Sequence, residues 1–122
     1  MHTFTIYRKK GKCFECEFDQ FKLDEKGERF DLRGSNNTEG FLLAEQIAAI
    51  VPKDVDYYKG VFAGRTLLWR KFTIYLKNRL DKPVEITATA FDPTTYEFEI
   101  ENNPISLIYV CPDRLSAYSA AT

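Results

Sequence analysis

Between Thr66 and Ile100 the chain alternates apolar and polar residues for so long that half of the protein is confined to antiparallel β-structure. Phe72, Ile74 and Leu76 alternate with Lys71, Thr73, Tyr75 and Lys77. Successive strand side chains point to opposite faces, so this period predicts a strand with one buried face and one wet, basic face. After the turn-like cluster Asn78 to Pro83, Val84, Ile86, Ala88 and Ala90 resume the alternation, and Tyr96, Phe98 and Ile100 continue it against Glu97, Glu99 and Glu101. The three runs predict a meander.

The first half reads in the same way. Phe4 and Ile6 alternate with Thr3, Thr5 and Tyr7, Lys10-Gly11 allows a tight turn, and Phe14, Cys16 and Phe18 return. Phe21 and Leu23 shift the apolar phase by one after Asp19, the mark of a bulge, and Asp24 to Gly27 turns the chain into Phe30 and Leu32. Gly34 to Gly40 has the composition of a long mobile loop. Phe41 to Val51 fits a short helix, with Leu43, Ile47, Ile50 and Val51 on one stripe and Pro52 as the stop. Two short strands broken at Glu45-Gln46 fit the same run nearly as well.

These readings predict one mostly β domain (β-rich α+β) over residues 1–122, a single curled antiparallel sheet or small barrel of about seven to eight strands with at most one short helix, Phe41 to Val51. Residues 115–122 read as a frayed tail or one helical turn. No internal repeat, low-complexity tract or linker is evident. A chain of 122 residues with 15% aromatic content can bury such a core without disulfides.

Charge and cysteine content narrow the classes of function. The net charge of −1 offers no whole-molecule field for a polyanion or an anionic membrane, and no segment has the run of about 20 apolar residues of a membrane-spanning helix. Three cysteines, an odd number, fit a reducing compartment, so a cytoplasmic protein is expected.

Several constellations bear on chemistry. Cys13 and Cys16 have metal-knuckle spacing, and with Cys111 and His2 they complete the ligand count of a zinc site. An alternating run containing Phe14 and Glu15 sends the two thiols to opposite faces, so they read as packing residues and no metal or cofactor is expected. His2, the only histidine, sits at a chain end, which is poor support for an imidazole-served nucleophile. Glu97, Glu99 and Glu101 share one strand face, but facing bases make solvated cross-strand pairs the plainer reading than acid–base catalysis. No catalytic residue is assigned, and the protein is not expected to be an enzyme.

Arg29-Phe30-Asp31-Leu32-Arg33 followed by Asn36 to Gly40 is superficially similar to the arginine pair and Asp/Asn-x-Ser-x-x-Gly element of cyclic-dinucleotide-binding PilZ barrels. Paired arginines suit phosphates through forked hydrogen bonds. In that family, however, a strand separates the two elements, whereas here they abut and the second is one residue short, so the match reads as chance.

What remains is binding. Tyr57, Tyr58, Phe62, Trp69 and Tyr75 supply an aromatic surface for a protein interface, which points to a non-catalytic binding or assembly module whose partner is another protein or a second copy in a homodimer. The alternative is single-stranded nucleic acid held by Arg65, Trp69, Lys71, Tyr75, Lys77 and Arg79 through phosphate contacts and base stacking. A zinc-dependent protein using Cys13 and Cys16 ranks lower.

Overall fold

A computed structural model of the protein describes residues 2–54 and 66–121. Within these, antiparallel strands form four small sheets rather than one curled sheet or a closed barrel, and the strands outnumber the expected seven or eight because the run expected as a helix is two strands, a bend at Thr89 splits another, Asn103–Pro104 pairs, and the C-terminal tail adds one more. The chain divides into two compact units, Met1–Lys53 with Ser106–Tyr109, and Asp54–Ile105 with Val110–Thr122.

In the first unit, β1 (His2–Arg8) forms a hairpin with β2 (Phe14–Phe18). The turn holds Gly11 at φ +89°, where the Arg8 guanidinium crosses to the Lys12 carbonyl. At Asp19 the strand bends and continues as β3 (Gln20–Leu23), which leaves β2's sheet and pairs with β4 (Arg29–Arg33). The phase slip read after Asp19 is this bend. Gly27 at φ +71° closes the β3–β4 turn, with the Asp24 carboxylate accepting from the Glu28 amide at 2.8 Å.

The stretch expected as a mobile loop is a tight 3-10 turn, Ser35–Asn37, closed by the Gly34 amide on the Thr38 carbonyl at 2.9 Å. The helix expected over Phe41 to Val51 does not form, and the alternative of two short strands broken at Glu45-Gln46 does. Thus β5 (Glu39–Leu43) pairs with β4, a 3-10 turn occupies Ala44–Gln46, and β6 (Ile47–Pro52) pairs with β1. Every residue of β6 is buried, so it reads as an unbroken apolar run, a pattern that periodicity cannot separate from a helix. The core gathers Phe4, Ile6, Phe18, Phe30, Leu32, Ile47 and Ile50, with Phe4 stacked on Phe18 at 4.1 Å between ring centroids.

In the second unit, β7 (Arg70–Leu76) buries Phe72, Ile74 and Leu76, as the alternation requires, and pairs with β8 (Val84–Ala88). A bend at Thr89 passes the chain into β9 (Ala90–Asp92), which pairs with β10 (Glu97–Ile100), and β10 pairs with β11 (Asn103–Pro104). The bend reverses the phase, so Phe91 rather than Ala90 meets the ring of Phe98, at 4.7 Å. Beyond β12 (Tyr109–Val110), the segment expected as a frayed tail forms β13 (Leu115–Ala121), which adds to β7 after a 3-10 turn at Pro112–Arg114.

The two units are copies of one design, contrary to the expectation of no internal repeat. Phe-Thr-Ile-Tyr stands at residues 4–7 in β1 and again at 72–75 in β7. Phe4 faces Cys16 and Ile6 faces Phe14; correspondingly, Phe72 faces Ile86 and Ile74 faces Val84. Past the bends, Phe21 faces Leu32 as Phe91 faces Phe98. The returning strands match too, for the register slips between Tyr7/Ala49 and Arg8/Ile47 in one unit, and between Tyr75/Ala117 and Leu76/Leu115 in the other.

Even the hydrogen bonds at the bends recur. The Asp19 amide donates to the Arg33 carbonyl at 2.7 Å and the Thr89 amide to the Glu99 carbonyl at 3.0 Å. The corner side chains then reach corresponding residues: Ser35 Oγ donates to Asp19 Oδ2 at 2.9 Å, and the Glu101 amide donates to Thr89 Oγ1 at 3.0 Å.

Candidate functional site

Tyr57, Tyr58, Phe62 and Arg65 lie outside the described residues. Tyr75 is half-buried and shares the outer face of β7 with Lys71 and Thr73, beside the small Ala117, Ser119 and Ala121 of β13. Trp69, half-buried, precedes the strand, while Lys77 and Arg79 follow it in a turn closed by the Arg79 amide on the Leu76 carbonyl at 3.0 Å. The expected stripe therefore shortens to Lys71 and Tyr75. Glu85 of β8 lies on the same face and approaches Lys71 at 3.9 Å, which lowers the attraction for a phosphate backbone.

Cys13 is exposed, Cys16 is half-buried against the first unit's core, and Cys111 is buried in the second unit; all three are free thiols. Burial pushes the Cys16 thiol up. Among the described residues, no group of three or more His, Cys, Asp or Glu is placed to hold a metal. The displaced carboxylates move in the direction opposite to that of a general acid: a hydrogen bond from Ser35 holds Asp19 low, and one from Thr94 holds Asp92 low.

A different surface has the properties of a binding site, the outer face of the β3-β4-β5 sheet. Alternation along β4 turns Phe30 and Leu32 inward and Arg29, Asp31 and Arg33 outward. Cross-strand register sets Lys22 opposite Asp31 on one side, and Phe41 opposite Asp31 and Leu43 opposite Arg29 on the other. Phe41 is 56% exposed and Leu43 41%, although both are large and apolar. β5 is an end strand of this sheet, so apolar side chains and a sheet edge are offered at one place.

The cations of this face differ in their engagement. Arg29 Nε is 3.2 Å from Asp31 Oδ1 and 4.0 Å from Asp24 Oδ2, and its guanidinium lies 5.4 Å from the centroid of the Phe41 ring. That arrangement holds the ring beside a fixed charge. Lys22 and Arg33, both exposed, make no ion pair among the described residues. A shallow depression runs between Arg29, Asp31, Arg33, Glu39 and Phe41. Assigning Phe41 and Leu43 to a helix hid this face. The period-two spacing of Glu39, Phe41 and Leu43 opposite Arg29, Asp31 and Arg33 was the available signal.

The chain matches no protein-family model, no curated protein and no solved structure. Among the described residues, no helix is long and apolar enough to cross a membrane.

Proposed function

We propose that this is a non-catalytic binding or assembly module that takes another protein on the outer face and end strand of its β3-β4-β5 sheet. The observation that carries the reading is the exposure of Phe41 and Leu43 on an end strand, beside a charged rim of Arg29, Asp31, Arg33 and Glu39 with Lys22 beyond it. Aromatic and arginine side chains are the groups that dominate interface energetics, and an apolar centre with a charged rim is the anatomy of such a surface. An end strand adds unpaired backbone groups with which a partner strand can continue the ladder. The free thiols suit a reducing compartment, so we place the protein in the cytoplasm.

The test is photo-crosslinking in cells, with a benzophenone side chain at position 41 and, as control, at the exposed Glu25 of the β3–β4 turn. The expected result is a protein adduct, identified by mass spectrometry, that forms at position 41 and disappears when Arg33→Glu and Lys22→Glu are added. Equal adducts at both positions, or none at position 41, refute the reading.

A further inference from the structure

The internal repeat allows the two units to be compared position by position, and their outer faces differ in charge: Lys22, Arg29 and Arg33 stand with Asp31 and Glu39 in the first, whereas Asp92, Glu97 and Glu99 stand together in the second. By strand register, Lys22 of β3 corresponds to Asp92 of β9, Arg33 of β4 to Glu99 of β10, and Asp31 to Glu97. The first unit thus presents cations at two positions where the second presents carboxylates. A shared scaffold gives both sets the same diagonal spacing across a strand pair. Glu97 is exposed, Glu99 half-buried, and neither makes an ion pair among the described residues.

Asp92 faces Glu97 across the β9–β10 ladder, with its own carboxylate accepting from the Thr94 amide at 2.8 Å and from the Thr94 hydroxyl. Glu97 and Glu99 are left to attract a covering surface that carries cations. The chain itself carries one, with Phe41 and Leu43 beside it to supply an apolar centre.

We infer that the partner of the β3-β4-β5 face is a second copy of this chain, which docks through the acidic outer face of β9 and β10, so that copies associate head to tail. The inference rests on the protein-binding reading of that face and names its occupant. The contact is heterologous, the first unit of one copy against the second unit of the next. Its charged pairs make it dependent on ionic strength, because the Debye length falls from roughly 20 Å near 20 mM salt to a few ångströms near 500 mM.

The experiment is sedimentation velocity on purified protein at about 20 mM and about 500 mM salt. Three variants are compared with wild type: Lys22→Glu with Arg33→Glu, Glu97→Lys with Glu99→Lys, and the four changes combined. Wild type should self-associate at low salt and dissociate at high salt. Each two-site reversal should weaken association by about a hundredfold or more. An equimolar mixture of the two reversed proteins should associate again, and so should the fourfold variant, results that an unfolded variant cannot give. Glutamine replacements at the same sites should weaken association without creating repulsion. A monomeric wild type at low salt, or reversed proteins that fail to associate when mixed, overturns the inference. The crosslink at position 41 in cells separates this outcome from failure of the broader reading, since an adduct to a different protein keeps the face and removes only the second copy.

Discussion

Replacing Thr89 by valine should weaken the second unit by about 2 kcal/mol, because one hydroxyl ties together the corner where β8 becomes β9. Thr89 Oγ1 donates to the Glu99 carbonyl at 3.0 Å and accepts from the Glu101 amide at 3.0 Å, in partly buried surroundings. Valine keeps the branched shape and the Thr89 amide bond to the same Glu99 carbonyl, so that oxygen retains a donor. The Glu101 amide loses this acceptor at a residue already held at φ +49°. Two bonds at about 0.5–1.5 kcal/mol each give the estimate. At urea m-values of about 1–3 kcal/mol per molar, the unfolding midpoint should fall by about 1 M. Thr89→Ser keeps the hydroxyl and deletes one methyl, so its loss should stay below about 1 kcal/mol. A valine variant within about 0.5 kcal/mol of wild type, or a serine variant as weak as the valine one, refutes the corner's role.

Three further outcomes are expected. Ile74 is 1% exposed, so Ile74→Asp should cost more than about 4 kcal/mol, whereas Thr73→Asp, facing Glu85 on the solvent side, should cost under about 1 kcal/mol; equal melting temperatures would show the β7 register to be wrong. With a thiol reagent at neutral pH, Cys13 should react first, Cys16 slowly because burial raises its pKa, and Cys111 slowly because it is covered; simultaneous labelling of all three in the folded protein contradicts the structure. The Asp19 carboxyl lies below its ordinary 3.8 because Ser35 donates to it, so its contribution to stability is present above that pH and lost as pH falls through the lower folded value. Carboxyl NMR titration of Ser35→Ala should show the Asp19 pKa moving back up, and an unmoved value would mean that the hydrogen bond is not the cause.

Local chemistry was legible in the sequence and long-range pairing was not. The β7 register, the turns at Gly11 and Gly27 and the break at Asp19 each follow from a few adjacent residues: an alternation, a glycine at positive φ, a slip of phase. The matching break at Thr89 was silent, because Ala88 and Ala90 are both small and keep the apparent alternation running through the bend. β6 was hidden by its burial on both sides, and its misreading carried Phe41 and Leu43 into a helix that does not exist. The last strand, Leu115–Ala121, carries alanines and serines that no hydropathy pattern distinguishes from a loose end; its order comes from the ladder with β7. The outer face of β4 was visible as Arg29, Asp31 and Arg33, but its meaning depended on knowing that β5 lies beside it.

Two nearly identical strands in one chain create a hazard during folding. With the same Phe-Thr-Ile-Tyr core, β1 could seek β8 as readily as β2, and tandem copies are prone to such crossed products. The residues behind those strands separate right from wrong. Where the first unit has bulky Phe18 and moderate Leu32, the second has small Ala88 and bulky Phe98, so each keeps its own division of volume. A crossed pairing of β1 with β8 would leave a void behind Phe4 where Phe18 should stack, and one of β7 with β2 would crowd the ring of Phe98, which sits 5.5 Å from Phe72. Voids and overfilling each cost on the order of 1–5 kcal/mol. The different division of volume behind these two strands is thus what lets the nascent chain tell its two halves apart.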